Sequence, residues 1–402
     1  MSVEILAIKF NHDPTSHTSD ALNIRKNKTE FIDVPEWQRG ICHLPTDSEA
    51  AYVIKETQGN TVTIQARFLA SDIETAEIRA IDAITVPSEP KGCIGWLIAF
   101  IIAVYKAFFG NVLGDVKERS VNFASGDSGF VSFELKNTRI GNYGVGVRVT
   151  KWRWQYRPPG GSWKDFDTTT HQIYVLLEEP NDPWQQQPYS SSNDQLPWTE
   201  VMYYACTWAM TAKDRDSAAS KVTENVNNLG PSRIKYDTSW GATFYSVGDF
   251  KCTEFLDRIK GGPGLGEKVN CTDCATITST FSNILGCDLW QSRMQWSFAL
   301  NELISIGFNH WEAPFGGGFS YHEVAWKGAC GVDDEVFDAC LKVDGDSDPY
   351  NGAPHTALLP VNMKFGDCTG PLNYRRRLTT NDPNGCPKCD PAPSTKQRRV
   401  VI

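Results

Sequence analysis

Apolar and polar residues alternate along much of the first 180 positions. Thr61-Val62-Thr63-Ile64-Gln65-Ala66-Arg67-Phe68 has the period of two that half-buries a strand, and the stretches 77–81, 120–123, 130–135 and 172–177 repeat it. Val145, Val147 and Val149 share one face, while Trp152, Trp154 and Tyr156 share the next. The change of phase between Val149 and Trp152 predicts a bulge or a change of sheet. Turn chemistry at Ser125-Gly126-Asp127-Ser128-Gly129 and at Arg157-Pro158-Pro159-Gly160-Gly161 separates the runs. Short strands at this spacing predict an antiparallel β-sandwich of immunoglobulin-like type over 1–180, with the Trp–Tyr stripe in its core.

Residues 180–197 (PNDPWQQQPYSSSNDQLP) carry no periodicity and predict a linker over 181–197. Beyond it the period becomes helical. Val201, Tyr204, Ala205 and Trp208 form one stripe. Asp216-Ser217 can cap a second helix that runs to Leu229 and stops at Gly230, and 253–259 suits a third. Later stretches around His322 alternate again. The pattern predicts an α+β domain over 198–370. Tyr374 to Ile402 holds seven Lys or Arg against two Asp, so 371–402 reads as a solvated basic tail containing Cys386 and Cys389.

One run departs from both patterns. Cys93 to Tyr105 (CIGWLIAFIIAVY) is uncharged, and counting through Lys106 to Gly114 reaches the length of about 20 residues that a spanning helix needs. The expectation is an apolar helical insertion near 92–114, buried or covered by a partner, with membrane contact through 93–113 as the alternative.

Composition narrows the function. Of 402 residues, 48 are acidic and 39 basic, a net charge of −9, which argues against a general nucleic-acid binder. Thirteen Trp, thirteen Tyr and twenty Phe exclude a disordered chain. Met1-Ser2-Val3-Glu4-Ile5 has no basic region leading into an apolar core, so no secretory signal is read. A cytoplasmic protein is expected, with membrane association or non-classical delivery as alternatives. Twelve Cys then read as thiols, metal ligands or a nucleophile, not as a disulfide framework.

The chemistry concentrates after Gly261. The stretch Gly261-Gly262-Pro263-Gly264-Leu265-Gly266 leads to Cys271, and Ala275, Ile277, Phe281, Ile284 and Leu285 follow at helical spacing before Gly286. A thiol at a helix N-terminus faces the positive end of the dipole and free N–H groups, which favour a thiolate and can hold an oxyanion. Cys274 lies one turn on and competes for the role; the other reading of both is a pair of buried small hydrophobes. An attacking thiol needs a base, and an imidazole needs a carboxylate to fix its tautomer. Of seven His, His322 has the best setting, on a predicted strand (Phe319-Ser320-Tyr321-His322-Glu323-Val324-Ala325-Trp326). His310 is the reserve, and His355 falls in a predicted loop.

Metals and cofactors are not expected. Cys271-x-x-Cys274 and Cys386-Pro-Lys-Cys389 lie over a hundred residues apart, and the first pair opens an apolar helix, not a zinc knuckle. Asp344-Gly-Asp346-Ser-Asp348 starts like a calcium loop, but Pro349 and His355 occupy the positions where Gly and Glu are required. No Gly-Lys-Ser/Thr follows the glycines, so there is no P-loop.

Roughly residues 195–370 resemble transglutaminase-like domains, and more broadly papain-like cysteine enzymes. The resemblance lies in Cys271-Thr272-Asp273-Cys274-Ala275, in Leu285-Gly286 on the same helix, in His322 opening a strand, and in Asp338 sixteen residues later. Val324 stands where an aromatic is usual, and Asp338 lacks the following Pro. The resemblance implies Cys271 as nucleophile, His322 as base and acid, and Asp338 as orienting carboxylate. The implied activity is that of a cysteine acyl-transfer enzyme acting on a protein or peptide substrate through a thioester. Hydrolysis by water, a peptidase or amidohydrolase reaction, is the expected outcome, because no amine site is specified. The alternatives are glutamine–lysine cross-linking, a delivered toxin or effector whose insertion meets a membrane, and a non-catalytic binding or structural protein.

Overall fold

The computed structural model describes residues 2–13, 18–83, 111–181, 197–295, 297–348, 355–367, 371–379 and 389–402. The apolar run expected at 92–114 lies outside these residues up to position 110. The expected linker does so from 182 to 196, and so does Cys386. The protein is mixed α/β, rich in sheets and poor in helices. It divides into two compact units, 1–179 with 198–213, and 180–197 with 214–402.

Among its described residues the first unit holds nine strands: β1 Ser2–Lys9, β2 Trp37–Gln38, β3 Glu49–Val53, β4 Thr63–Ser71, β5 Thr75–Asp82, β6 Val116–Asn122, β7 Asp127–Glu134, β8 Gly146–Arg157 and β9 Lys164–Leu176. They form one sheet in the order β2-β1-β4-β7 and a second in the order β3-β9-β8-β5-β6. Alternation in β1 and β4 buries Val3, Ile5, Ile64, Ala66 and Phe68. These share one core with Ile78, Ala80, Trp152, Trp154 and Val175 of the other sheet. Phe68 meets Trp154 edge to face at 5.5 Å. β3 pairs parallel with β9, and the other paired strands of this unit are antiparallel.

The break expected between Val149 and Trp152 is absent. β8 runs unbroken, and its buried positions are Gly146, Arg148, Thr150, Trp152, Trp154 and Tyr156. The polar members of this face find partners for part of their hydrogen-bonding capacity. Arg148 donates to the carbonyls of Tyr143 and Val145, and Thr150 donates to Asn111 Oδ1 at 2.9 Å. Val147 and Val149, which suggested the other phase, are only half-buried. The helix Thr199–Trp208 belongs to this unit and not to the helical part of the chain that follows it. It packs on β8 and β9 through a face that includes Val201, Met202 and Ala205.

In the second unit a five-stranded antiparallel sheet has the order Met363–Lys364, Glu335–Phe337, His322–Trp326, Trp290–Gln295, Asp390–Gln397. The helix Cys271–Ile284 packs on its middle strand and is buried along its whole length. A hydroxyl on a buried helix can bond back to a carbonyl of the preceding turn. Thr276 and Ser279 do so by donating to the carbonyls of Thr272 and Ala275 at 2.7 and 2.8 Å.

The last strand corrects the reading of 371–402 as a solvated tail. Asp390–Gln397 pairs with Trp290–Gln295, and Arg375, Arg399 and Val401 are buried. The backbone ladder and buried ion pairs, not apolar alternation, hold it there.

Candidate active site

The start of the cysteine helix is fixed from both sides. Asn270 is its N-cap, with its side chain accepting from Asp273 N at 3.1 Å, while Asp273 accepts from Asn270 N at 3.2 Å. Asp273 also accepts from Phe244 N at 3.0 Å and from Tyr245 N at 2.9 Å. Asn270 Nδ2 donates to the Gly241 carbonyl at 2.9 Å. The loop 241–245 is therefore anchored on the helix start. Burial pushes the Asp273 carboxyl up to about 6, against the pull of these amides.

The glycines before Cys271 do a different job from leading directly into the thiol. Gly261, at φ 105°, ends the helix Cys252–Lys260, and Gly264 N donates to Asp257 Oδ2 at 2.9 Å. A short parallel pairing of Lys268–Val269 with Lys235–Tyr236 then delivers the chain to Asn270.

Cys271 is the first residue of the helix and is buried, as is Cys274 one turn on. Both are free thiols. His322 opens the middle strand with no exposed surface, and its Nε2 lies 3.0 Å from Asp338 Oδ2. The other acceptor oxygen, Asp338 Oδ1, takes the Cys340 amide at 2.8 Å. With Nε2 held by a carboxylate, that nitrogen carries a proton and Nδ1 faces away from Asp338. Nδ1 has no partner in hydrogen-bond geometry, while Cys271 acts on the charge of the same ring. Burial opposes charge on His322. Asp338 and then Cys271 outweigh it and raise the imidazole to about 10.

Aromatic groups close round this centre. Phe319 stacks on the His322 ring, with centroids 5.3 Å apart and an interplanar angle of 18°. Tyr236 and Tyr321 are both raised, by burial first and by Cys271 next. Neither tyrosine carries a motif signal, although Tyr321 immediately precedes His322.

The competing residues are placed differently. Cys274 is raised: its contact with the Cys340 thiol pulls it down, but burial and the surrounding anionic groups prevail. His310 is largely exposed and faces Glu312 at 3.5 Å. His355 sits between Asp344 at 2.7 Å and Glu302 at 3.2 Å. Asp344, Asp346 and His355 lie close enough to share a cation. His355 Nδ1 is already engaged by Asp344, and the Asp346 carbonyl accepts from the Arg377 guanidinium at 3.0 Å. Tyr374 was not legible as a site residue. It donates to Asp338 Oδ2 at 2.8 Å from within the stretch read as a tail.

No helix among the described residues is long and apolar enough to cross a membrane. No family model and no curated protein matches the chain. Among solved structures it is similar to red sea bream transglutaminase at 10% sequence identity and a TM-score of 0.40, over 89% of this chain and 55% of that one.

Proposed function

We propose that the second unit is a cysteine-dependent acyl-transfer enzyme in which Cys271 attacks an amide carbonyl of a protein or peptide. The observation that carries this reading is the fully buried His322–Asp338 pair at 3.0 Å, whose histidine opens the strand that packs against the helix beginning with Cys271.

In this reading the thiol proton rests on His322 Nδ1 in a thiolate–imidazolium pair, and the sulfur adds to the carbonyl carbon. The tetrahedral oxyanion forms at the positive end of the helix dipole, in reach of its first N–H groups. An imidazole raised to about 10 holds its proton at neutral pH and can pass it to the departing amine, leaving a thioester on Cys271. Water, with His322 again as base, releases the carboxylate.

The test is trapping. Incubation with a 4-nitrophenyl ester should give a burst of nitrophenol and one acyl group on the Cys271 peptide, absent in Cys271→Ala. Acylation spread over several thiols, or none, rejects the reading. Adding a primary amine then tells hydrolysis from transamidation by whether the acid or the amide accumulates.

A further inference from the structure

The residue after Cys271 and the residue after His322 are bonded to each other. Thr272 Oγ1 donates to Glu323 Oε2 at 2.9 Å. Glu323 is a fully buried carboxylate with a crowded set of donors. Arg399 grips it with both terminal nitrogens, Nη1 to Oε1 at 2.6 Å and Nη2 to Oε2 at 3.2 Å, and Arg293 Nε reaches Oε2 at 3.2 Å. Arg399 does more than neutralise the charge. Its Nη1 also donates to Thr276 Oγ1 at 3.0 Å on the cysteine helix and to Gln291 Oε1 at 2.9 Å on the neighbouring strand. Gln291 in turn donates to Ser279 Oγ at 2.8 Å, on the same helix.

One guanidinium therefore touches the helix that begins with Cys271, the strand that begins with His322 and the strand between that one and its own segment. A planar fork with fixed donor directions holds three elements in one relative position, which a single point charge cannot do. None of these residues reaches the His322–Asp338 pair directly.

We infer that Arg399 and Glu323 are positioning residues for the acyl-transfer centre, acting through Thr272 to set the Cys271 helix against the His322 strand. The inference rests on the proposed nucleophile–base pair and adds the device that holds its two members in register. Reaction at the sulfur depends steeply on that register, since a misplacement of about 1 Å can cost about a hundredfold.

The experiment is the pH profile of iodoacetamide alkylation at Cys271, read by peptide mass in the full chain with melting temperature followed in parallel. The variants are His322→Ala, Thr272→Val, Arg399→Lys and Arg399→Met. Thr272→Val keeps the side-chain shape and removes the hydroxyl that donates to Glu323 and lies 3.4 Å from the Tyr321 hydroxyl. It should slow alkylation at pH 6.5 by about tenfold and shift the profile toward that of His322→Ala while the protein still melts cooperatively. Arg399→Lys should fall between wild type and Arg399→Met, because it keeps the charge and loses the fork. If Thr272→Val does not fold, Arg399→Lys answers in its place. A profile that responds to His322→Ala but to neither Thr272→Val nor Arg399→Lys overturns the clamp and leaves the acyl-transfer reading standing. A profile that ignores His322→Ala sinks the pair and the clamp together.

Discussion

Tyr374 and Asp338 are joined by a hydrogen bond of 2.8 Å, and the oxygen that accepts it, Oδ2, is the one that holds His322 Nε2 at 3.0 Å. The orienting carboxylate is thus shared between the candidate base and a phenol whose own ionisation is blocked, by burial first and by the Asp338 charge next. With Cys340 N on Oδ1, three donors fix the plane of the carboxylate, and through it the plane of the imidazole.

Tyr374→Phe should lower kcat about tenfold with KM little changed, because a hydrogen bond to a charged group is worth about 1.5–3 kcal/mol and only part of it is felt in the reaction. Steady-state kinetics on any responsive amide or ester checks this. An unchanged kcat with a lowered melting temperature would make Tyr374 purely structural.

The three proposed catalytic residues should act as a unit. Cys271→Ala should abolish turnover, and His322→Ala should come close to it. Asp338→Asn should cost about 10²–10⁴ in kcat, since it disturbs the tautomer but leaves thiol and imidazole in place. Retained activity in Cys271→Ala, with loss in Cys274→Ala or His310→Ala, would show that other residues do the chemistry.

Asp273→Asn replaces an acceptor oxygen with a donor that would face backbone N–H groups. Phe244 N, Tyr245 N and Asn270 N all point at this side chain. The substitution should destabilise the second unit by about 1–3 kcal/mol, measured by urea unfolding of the full chain. A stability within error of wild type would mean that the loop 241–245 is held by other contacts.

His171 supplies a pH test in the first unit. Its two nitrogens meet Ser48 Oγ and Thr169 Oγ1, each at 2.8 Å, and burial lowers its pKa from 6.5 to about 3. The unfolded ring binds a proton below about 6.5 and the folded ring does not, so stability falls as pH drops through that window toward 3. The stability of wild type relative to His171→Gln should therefore decline by about 1.4 kcal/mol per pH unit below pH 6.5. Taking the difference removes the contribution of Glu36, which burial raises to about 7 and whose stabilisation runs the other way, being lost as pH rises toward 7. A pH-independent difference would mean that the unfolded chain does not protonate the ring.

The strands of the first unit are legible because their apolar residues alternate, as β4 and β5 show, and the cysteine helix is legible from its apolar spacing. His322 and Asp338 stand out by residue type and order. Arg148 and Thr150 mislead, because a polar side chain can be buried where it finds carbonyl or amide partners. Asp390–Gln397 (DPAPSTKQ) carries no periodic signal, since its place is set by backbone pairing with Trp290–Gln295 and by Arg399 meeting Glu323. Tyr374 is hidden for the same reason: its partner lies 36 positions earlier in the chain.

The strand Trp290–Gln295 lies between a neighbour about thirty residues downstream and another about a hundred residues downstream. Sheets closed by such distant partners form slowly, because the loop entropy is lost before the ladder rewards it. During synthesis the cysteine helix and the histidine strand leave the ribosome well before Arg399 exists. Until Arg399 emerges, Glu323 has no guanidinium to neutralise it and one edge of Trp290–Gln295 stands open. The nascent chain would hold its thiol in an unfinished centre over that interval. Residues 389–402 would then complete the sheet and mature the site in a single late step.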